Sequence, residues 1–235
     1  DLLSVANKHK QDNALATIVL TPVENPSAYG LVQVGENSDI LRFLEKPSLE
    51  EIERLKINTI NAGIYIFEPS VLNYIPANEN YSFEYQLFPN LLRNKEKFQA
   101  FVANENYWLD IGTKERYLQA NLDLIGGKIW NSQVLKSSNF NVPDSAEIDE
   151  KSLLADGCEI KSGAKIINSV LGNNVSIGEN TTVKNAVIWA GTTIDSDSVI
   201  ADSITGYNCR IGENVSLQNG YVLGDNSILT DFTKS

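Results

Sequence analysis

Between residues 151 and 235 the apolar positions repeat with a fixed period. The chain divides into "KSLLADGCEIKSGAKII" (151–167), "NSVLGNNVSIGENTTVK" (168–184), "NAVIWAGTTIDSDSVIA" (185–201), "DSITGYNCRIGENVSLQ" (202–218) and "NGYVLGDNSILTDFTKS" (219–235), five units of 17 residues. The third column holds Val170, Val187, Ile204 and Tyr221, and the tenth holds Ile177, Ile194, Ile211 and Ile228; Leu153 and Ile160 extend both columns upstream. A fixed period of this kind is the signature of a solenoid. Within the units, aliphatic residues recur about every six positions: Ile160, Ile166, Leu171, Ile177, Val183, Ile188, Ile194 and Ile200. Between them lie Gly, Asn, Asp and Ser, which make turns and tolerate left-handed backbone. Two faces of six residues and one of five account for 17. The pattern predicts coils stacked through parallel ladders, with one inward aliphatic residue per face. A β-sandwich, the ordinary alternative, keeps no fixed period.

The first half has a different rhythm. "LLSVANKHKQ" is an amphipathic helix and "ALATIVLTPV" (14–23) a buried strand. "YGLVQVGENSDILRFLEKP" alternates apolar and polar residues around "GENSD", which predicts a hairpin. "SLEEIERLK" carries a Ser N-cap followed by acids, the start of a short surface helix. "INAGIYIF" is a strand, "PSVLNYI" a short helix, "SFEYQLFPNLLRNK" a helix with a Pro break, "FQAFVAN" a strand and "KERYLQANLDLI" a closing helix. Strands alternating with helices predict an α/β layer structure over 1–125. Residues 126–145, rich in Gly, Ser, Asn and Pro, are a linker, and the coils occupy 146–235.

Composition then removes whole classes of function. The chain has 235 residues, 42% hydrophobic and 21% charged, enough for one large or two ordinary domains. Lys+Arg is 19 against Asp+Glu 30, and a formal net charge of -11 argues against nucleic-acid binding, which needs clustered positive charge. No run reaches the roughly 18 apolar residues of a membrane span. The opening "DLLSVANKHKQDN" lacks the basic start and apolar stretch of a signal peptide. Two cysteines, Cys158 and Cys209, make no disulfide framework and fit a reduced, cytoplasmic setting; both fall at or beside inward coil positions and read as small core residues. The absence of any Met suggests a chain cut from something longer.

One carboxylate stands out. In "YWLDIGTKERYLQAN" (107–121), Asp110 lies between Trp108 with Leu109 and Ile111 with Gly112. An ionised carboxylate among apolar neighbours is costly unless it is paired, hydrogen-bonded or metal-bound. Either Asp110 caps a helix beginning near Thr113, or it holds a cation.

The order "YGLVQV", "FLEKP", "INAGIYIF", "FEYQLFP", "YWLDIGTKERYLQAN", then a linker and coils with Ile-Gly-Glu-Asn corners, resembles the sugar-nucleotide pyrophosphorylases. Within them it looks most like the mannose-1-phosphate guanylyltransferases. The resemblance implies a partial Rossmann-like nucleotidyltransferase domain followed by a hexapeptide-repeat left-handed β-helix. It implies a reaction in which a sugar-1-phosphate oxygen attacks the α-phosphorus of a nucleoside triphosphate and pyrophosphate leaves. Both reactants are anions, so cations and in-line positioning matter more than acid or base. Lys46 of "EKP" matches the family's sugar-phosphate lysine, Glu45 would accept from sugar hydroxyls, and Pro47 would stiffen their turn. Gly30 and Gly63 mark places where backbone approaches the sugar, and Asn61 offers an amide to a hydroxyl. The bland reading of the glycines is a bulge beside a strand. Asp110 matches a family aspartate that shares one Mg²⁺ with a second aspartate. The family's G-G-x-G-T-R phosphate loop and that second aspartate do not occur in these 235 residues. The nucleotide half of the site is therefore expected outside this chain, the fragment alone is expected to be inactive, and Asp110 is expected to pair with Lys46 or with water. Trp108 reads as packing.

Two rival classes remain. Many hexapeptide-repeat proteins transfer acyl groups with a histidine lodged between coils, but the one histidine here, His9, lies on the first helix and reads as a surface residue. The other rival is a non-catalytic regulatory or scaffold subunit of the same family. The base and the sugar stay open, with glucose-1-phosphate as the alternative to mannose-1-phosphate. The final coil keeps Val222, Leu223, Ile228, Leu229 and Phe232, with no helix after them to close the ladder, so a homo-oligomer held through the β-helix is expected.

Overall fold

The stretch "ALATIVLTPV" folds as β1 (Ala16–Pro22), buried in every residue but Pro22. It is buried because it has a neighbour on each edge: β4 (Thr59–Phe67) runs antiparallel to it and β5 (Phe98–Val102) parallel. The hairpin is β2 (Leu31–Val34) and β3 (Ile40–Leu44), and the mixed sheet has the order β3-β2-β4-β1-β5. The computed structural model describes residues 1–44, 47–104, 107–129 and 142–234. They form two compact units, 1–108, which holds this sheet, and 109–235.

In the first unit, α1 (Leu2–Gln11) packs against β1, β4 and β5. His9 is not on the surface. It is 3% exposed, with Nδ1 2.8 Å from the Thr17 hydroxyl and Nε2 3.4 Å from Glu68. The polar atoms of a helix face turned to a sheet must find partners there, and Thr17 on β1 supplies one. The surface helix is α2 (Leu49–Leu55), closed by a capping box. Hydrogen bonds from the Ser48 backbone and hydroxyl hold the Glu51 carboxyl below its ordinary value. "FEYQL" is a π-helical turn, Phe83–Leu87, which runs into α3 (Phe88–Arg93) with Pro89 in the first turn, where proline is tolerated. Phe88 is fully buried and meets Phe43, Tyr65 and Phe98 at ring distances of 5.2–5.3 Å.

The second unit is the left-handed β-helix. Its strands form three five-stranded parallel sheets, one per face. The inward row includes Leu154, Ile160, Ile166, Leu171, Ile177, Val183, Ile188, Ile194 and Ile200, all buried. Two residues before most of these sits a second buried position, filled by small side chains such as Cys158, Ala164, Ser169, Thr181, Thr192 and Ser198. Their hydroxyls accept from the next coil: Ser169 Oγ from the Ala186 N–H at 3.1 Å, Thr192 Oγ1 from Cys209 at 3.2 Å, Ser198 Oγ from Val215 at 2.9 Å. The corners are left-handed, with Asn168, Asn174, Asn180, Asn185, Asp197 and Asp202 among the residues at positive φ. Gly178 is needed for another reason: a Cβ there would lie 2.5 Å from the Asp195 and Ser196 backbone.

The register departs from the 17-residue reading at its last step. Ile211 pairs with Leu229, not Ile228, and Ile204 pairs with Val222, not Tyr221. The extra residue lies at Asn219–Gly220, where two successive residues have positive φ, 63° and 82°. A slip of one residue exchanges the faces of a strand. Ile228 is accordingly 71% exposed, and Leu229 packs on the core.

The outward rows of the three faces differ. Two are mixed and largely polar: Glu159, Ser176, Thr193, Arg210 and Ile228, and Glu147, Lys165, Thr182, Val199 and Ser216. The third is apolar throughout: Leu153, Val170, Val187, Ile204 and Val222. Helix α4 (Lys114–Ile125) lies against this row, leaving Val187 3% and Ile204 9% exposed. Leu118 and Leu122 face Ile204, Tyr221 and Val222 across a groove of about 430 Å³, and Lys114 donates to the Gly220 carbonyl at 2.8 Å. Burial of the Cys158 thiol pushes its pKa up, so it stays protonated in the core.

The register makes a stability prediction. Ile177→Ala, at a fully buried position, should cost about 2–5 kcal/mol, whereas Ile228→Ala should stay within about 0.5 kcal/mol. Urea unfolding of the two variants measures both. Equal losses would mean that the tenth column runs straight through Ile228.

Candidate functional site

In the first unit the pairing of β1 with β4 is irregular: Ile18 pairs with Tyr65 but Leu20 with Asn61. Two residues of β1 thus span four of β4, and Ala62, Gly63 and Ile64 bulge from the sheet. Gly63 has φ +77°, a conformation that side chains rarely adopt, and among the described residues, its chain neighbours aside, no atom lies within 4 Å of where its Cβ would be. The bulge is real, and it leaves Gly63 exposed.

The bulge organises its neighbours. The Asn61 N–H donates to the Gly30 carbonyl at 3.0 Å, so these two sequence-predicted residues meet. The Asn61 side-chain oxygen accepts from the Gly63 N–H at 2.9 Å, and its amide nitrogen donates to the Tyr65 hydroxyl at 2.7 Å. Tyr65 donates onward to Glu84 at 3.2 Å. With the amide held at both ends, Asn61 still has a second N–H to offer. Trp108 packs, as expected: its indole N–H donates to the Ala62 carbonyl at 3.2 Å and its ring meets Tyr29 edge-on at 5.6 Å. Tyr65 and Glu84 were not anticipated. The signal for Tyr65 was its place two and four residues after Gly63 and Asn61 on one strand; for Glu84 there was none. Glu45 and Lys46 lie outside the described residues. Leu44, the last described residue before them, pairs with Leu31, next to Gly30.

Asp110 belongs to the second unit. The α4 N-cap is Thr113, whose hydroxyl accepts from the Arg116 N–H at 3.3 Å. Asp110 stands before the cap. One oxygen accepts from the Gly112 N–H at 3.1 Å, and the other accepts from the Arg116 guanidinium at 2.9 Å. Its pairing partner is therefore Arg116, a residue the sequence reading passed over, although an acid and a base across a helix start are a readable pair. The Asp110 side chain is 44% exposed, so the carboxylate keeps a side open to solvent. Among the described residues no three His, Cys, Asp or Glu side chains gather into a metal site. A single carboxylate with lone pairs to spare suits an ion such as Mg²⁺, which takes one or two carboxylates and completes its shell with water and substrate phosphates. Among the described residues, no helix is long and apolar enough to cross a membrane.

Comparison with known proteins adds to this geometry. A family model described as nucleotidyl transferase matches residues 1–126, and one described as the EIF2B subunit epsilon LbH domain matches residues 131–234. The chain is 35% identical over 202 residues to a UTP–glucose-1-phosphate uridylyltransferase of Synechocystis sp., covering 80% of this chain and 51% of that protein. It is 32% identical over 193 residues to a mannose-1-phosphate guanylyltransferase of Mycobacterium tuberculosis, covering 81% and 49%. A glucose-1-phosphate adenylyltransferase of Acetivibrio thermocellus is 31% identical over 214 residues, covering 77% and 48%. The chain spans about half the length of these curated relatives.

Cap and cation roles separate by stability. Thr113→Ala should cost about 1 kcal/mol as the loss of an N-cap. Asp110→Asn should cost less than about 1 kcal/mol, because the ion pair it breaks is exposed. Thermal or urea unfolding compares them. A larger loss for Asp110→Asn would make its role structural.

Proposed function

We propose, from the premise that the chain belongs to the nucleotidyl transferase family, that it forms the sugar-phosphate side of an enzyme making a nucleoside-diphosphate sugar. In this reading an oxygen of the sugar-1-phosphate forms a bond to the α-phosphorus of the triphosphate. The bond from that phosphorus to the bridging oxygen breaks, and pyrophosphate leaves with the electron pair. The observation that carries the reading is the β4 bulge, which presents the exposed, Cβ-less Gly63 and the remaining N–H of a clamped Asn61. Neutral donors of this kind suit sugar hydroxyls. Lys46 would meet the sugar phosphate and Glu45 a hydroxyl. Asp110 would hold Mg²⁺, which when bound would offset the charge of the two reacting phosphates.

The finer reading is mannose-1-phosphate with GTP, supported by the order of "FLEKP", "NAG" and "WLDIGT" and by the likeness to the mycobacterial guanylyltransferase. The likeness to the Synechocystis uridylyltransferase favours a second reading, glucose-1-phosphate with UTP. Pyrophosphate release by the full-length protein, with each sugar phosphate offered against GTP, UTP and ATP, decides between them. Release with no pair would favour the non-catalytic scaffold.

Two substitutions test the roles in that protein. Asp110→Asn should lower kcat about a hundredfold or more, and turnover within about threefold of the parent would exclude a metal-binding role. Lys46→Ala should raise KM for the sugar phosphate far more than for the nucleotide. Equal losses for both substrates would place Lys46 outside the sugar-phosphate pocket.

A further inference from the structure

Two aromatic residues interrupt the coil pattern outside the site described above. After the outward and inward residues of the apolar face, successive coils carry Ala155, Gly172, Trp189, Gly206 and Gly224. One residue later they carry Asp156, Asn173, Ala190, Tyr207 and Asp225. Only one coil places an indole in the first series, and only the next places a phenol in the second. The two rings meet edge to face at 4.6 Å, and Tyr117 of α4 lies 6.3 Å from Trp189.

Tyr117 of α4 meets Trp189 and not Tyr207 among the ring pairs of the described residues, and Tyr207 is 46% exposed. The three rings line a shallow pocket of about 290 Å³ whose rim carries Asn121 and Asn173 and whose floor includes Val187. Among the described residues no Lys, Arg, Asp or Glu lines it, although 21% of the chain is charged. Asn121 donates one amide hydrogen to the Tyr117 carbonyl at 2.9 Å, leaving its second N–H and its oxygen.

We propose that this pocket is a binding site for a neutral pyranose, either free or at the end of an oligosaccharide. Aromatic faces carry negative charge density, so the polarised C–H bonds on one side of a sugar ring pack against them. The sugar's equatorial hydroxyls would then reach the neutral amides at the rim. A phosphorylated sugar or a nucleotide would find no counter-charge there. The site is separate from the β4 bulge and does not depend on the nucleotidyl transfer reading.

The test uses the 235-residue protein, labelled with ¹⁵N, and follows the indole N–H signals. Methyl α-D-glucopyranoside, methyl α-D-mannopyranoside and maltotriose are titrated separately, with guanosine as a neutral aromatic control. Trp189→Gly gives that corner its neighbours' residue and identifies the Trp189 signal by its loss. The expected result is a saturable shift of that signal with at least one sugar. Tyr207→Asn, which gives this corner the residue that Asn173 supplies two coils earlier, should weaken the binding about tenfold while leaving the Tyr117–Trp189 contact. Circular dichroism confirms that both variants fold. No shift of the Trp189 signal at the highest soluble sugar concentration would overturn the proposal and leave the rings as a clamp for α4. So would a stronger response to guanosine, or a sugar affinity unchanged by Tyr207→Asn.

Discussion

One apolar row on the outside of the coils decides how the second unit is built. A β-helix satisfies its backbone from coil to coil, so it needs nothing on its outer faces. Leu153, Val170, Val187, Ile204 and Val222 change that, because a continuous outward apolar stripe must be covered. Helix α4 is the cover. Burying side chains the size of Val187 and Ile204 is worth about 1.5–3 kcal/mol each, well beyond what a 12-residue helix gains from its own hydrogen bonds. The helix therefore exists where it does because of the stripe. Asp110, Thr113 and Arg116 take their places from its first turn, and Tyr117 reaches Trp189 from its second.

The first unit reaches its site by the opposite means. The β1–β4 pairing is regular through Ile18 and Tyr65, and the candidate-site geometry appears where that pairing fails. Two extra residues in β4 turn Gly63 outward at positive φ and let the Asn61 amide be gripped from both sides. Aromatic packing beneath, with Phe88 at its centre, holds the strands on either side of the break. A flexible loop could present the same groups, but it would have to be ordered each time a ligand bound.

Periodicity made most of this legible. The 17-residue repeat, the three faces and the left-handed corners follow from the spacing of aliphatic and Asn or Gly residues. The strand and helix assignments of the first unit follow from period and caps. What stayed hidden was whatever depends on a single residue or on packing between elements. The slip at Asn219–Gly220 breaks a column without disturbing composition, since Ile228 and Leu229 are both apolar. His9 looked polar and was placed outside, yet Thr17 and Glu68 give its ring partners under α1. The third column was read as part of the repeat, and its outward direction emerged only once the strands were paired. Had the outward rows been compared face by face, the stripe would have predicted a docked helix.

The same reasoning explains why Asp110 could not be settled from its neighbours in sequence. Trp108, Leu109 and Ile111 made the carboxylate look buried, but sequence neighbours of a helix start do not share its surface. Trp108 belongs to the first unit and turns to Ala62, while Ile111 is 57% exposed. Asp110 is thus not enclosed by apolar neighbours, and its oxygens accept from the Gly112 N–H and the Arg116 guanidinium. An exposed pair of this kind contributes little to folding. Such a carboxylate costs little to keep and adds little to stability, and its orientation is fixed by Arg116 from the first turn of α4 and by the Gly112 N–H.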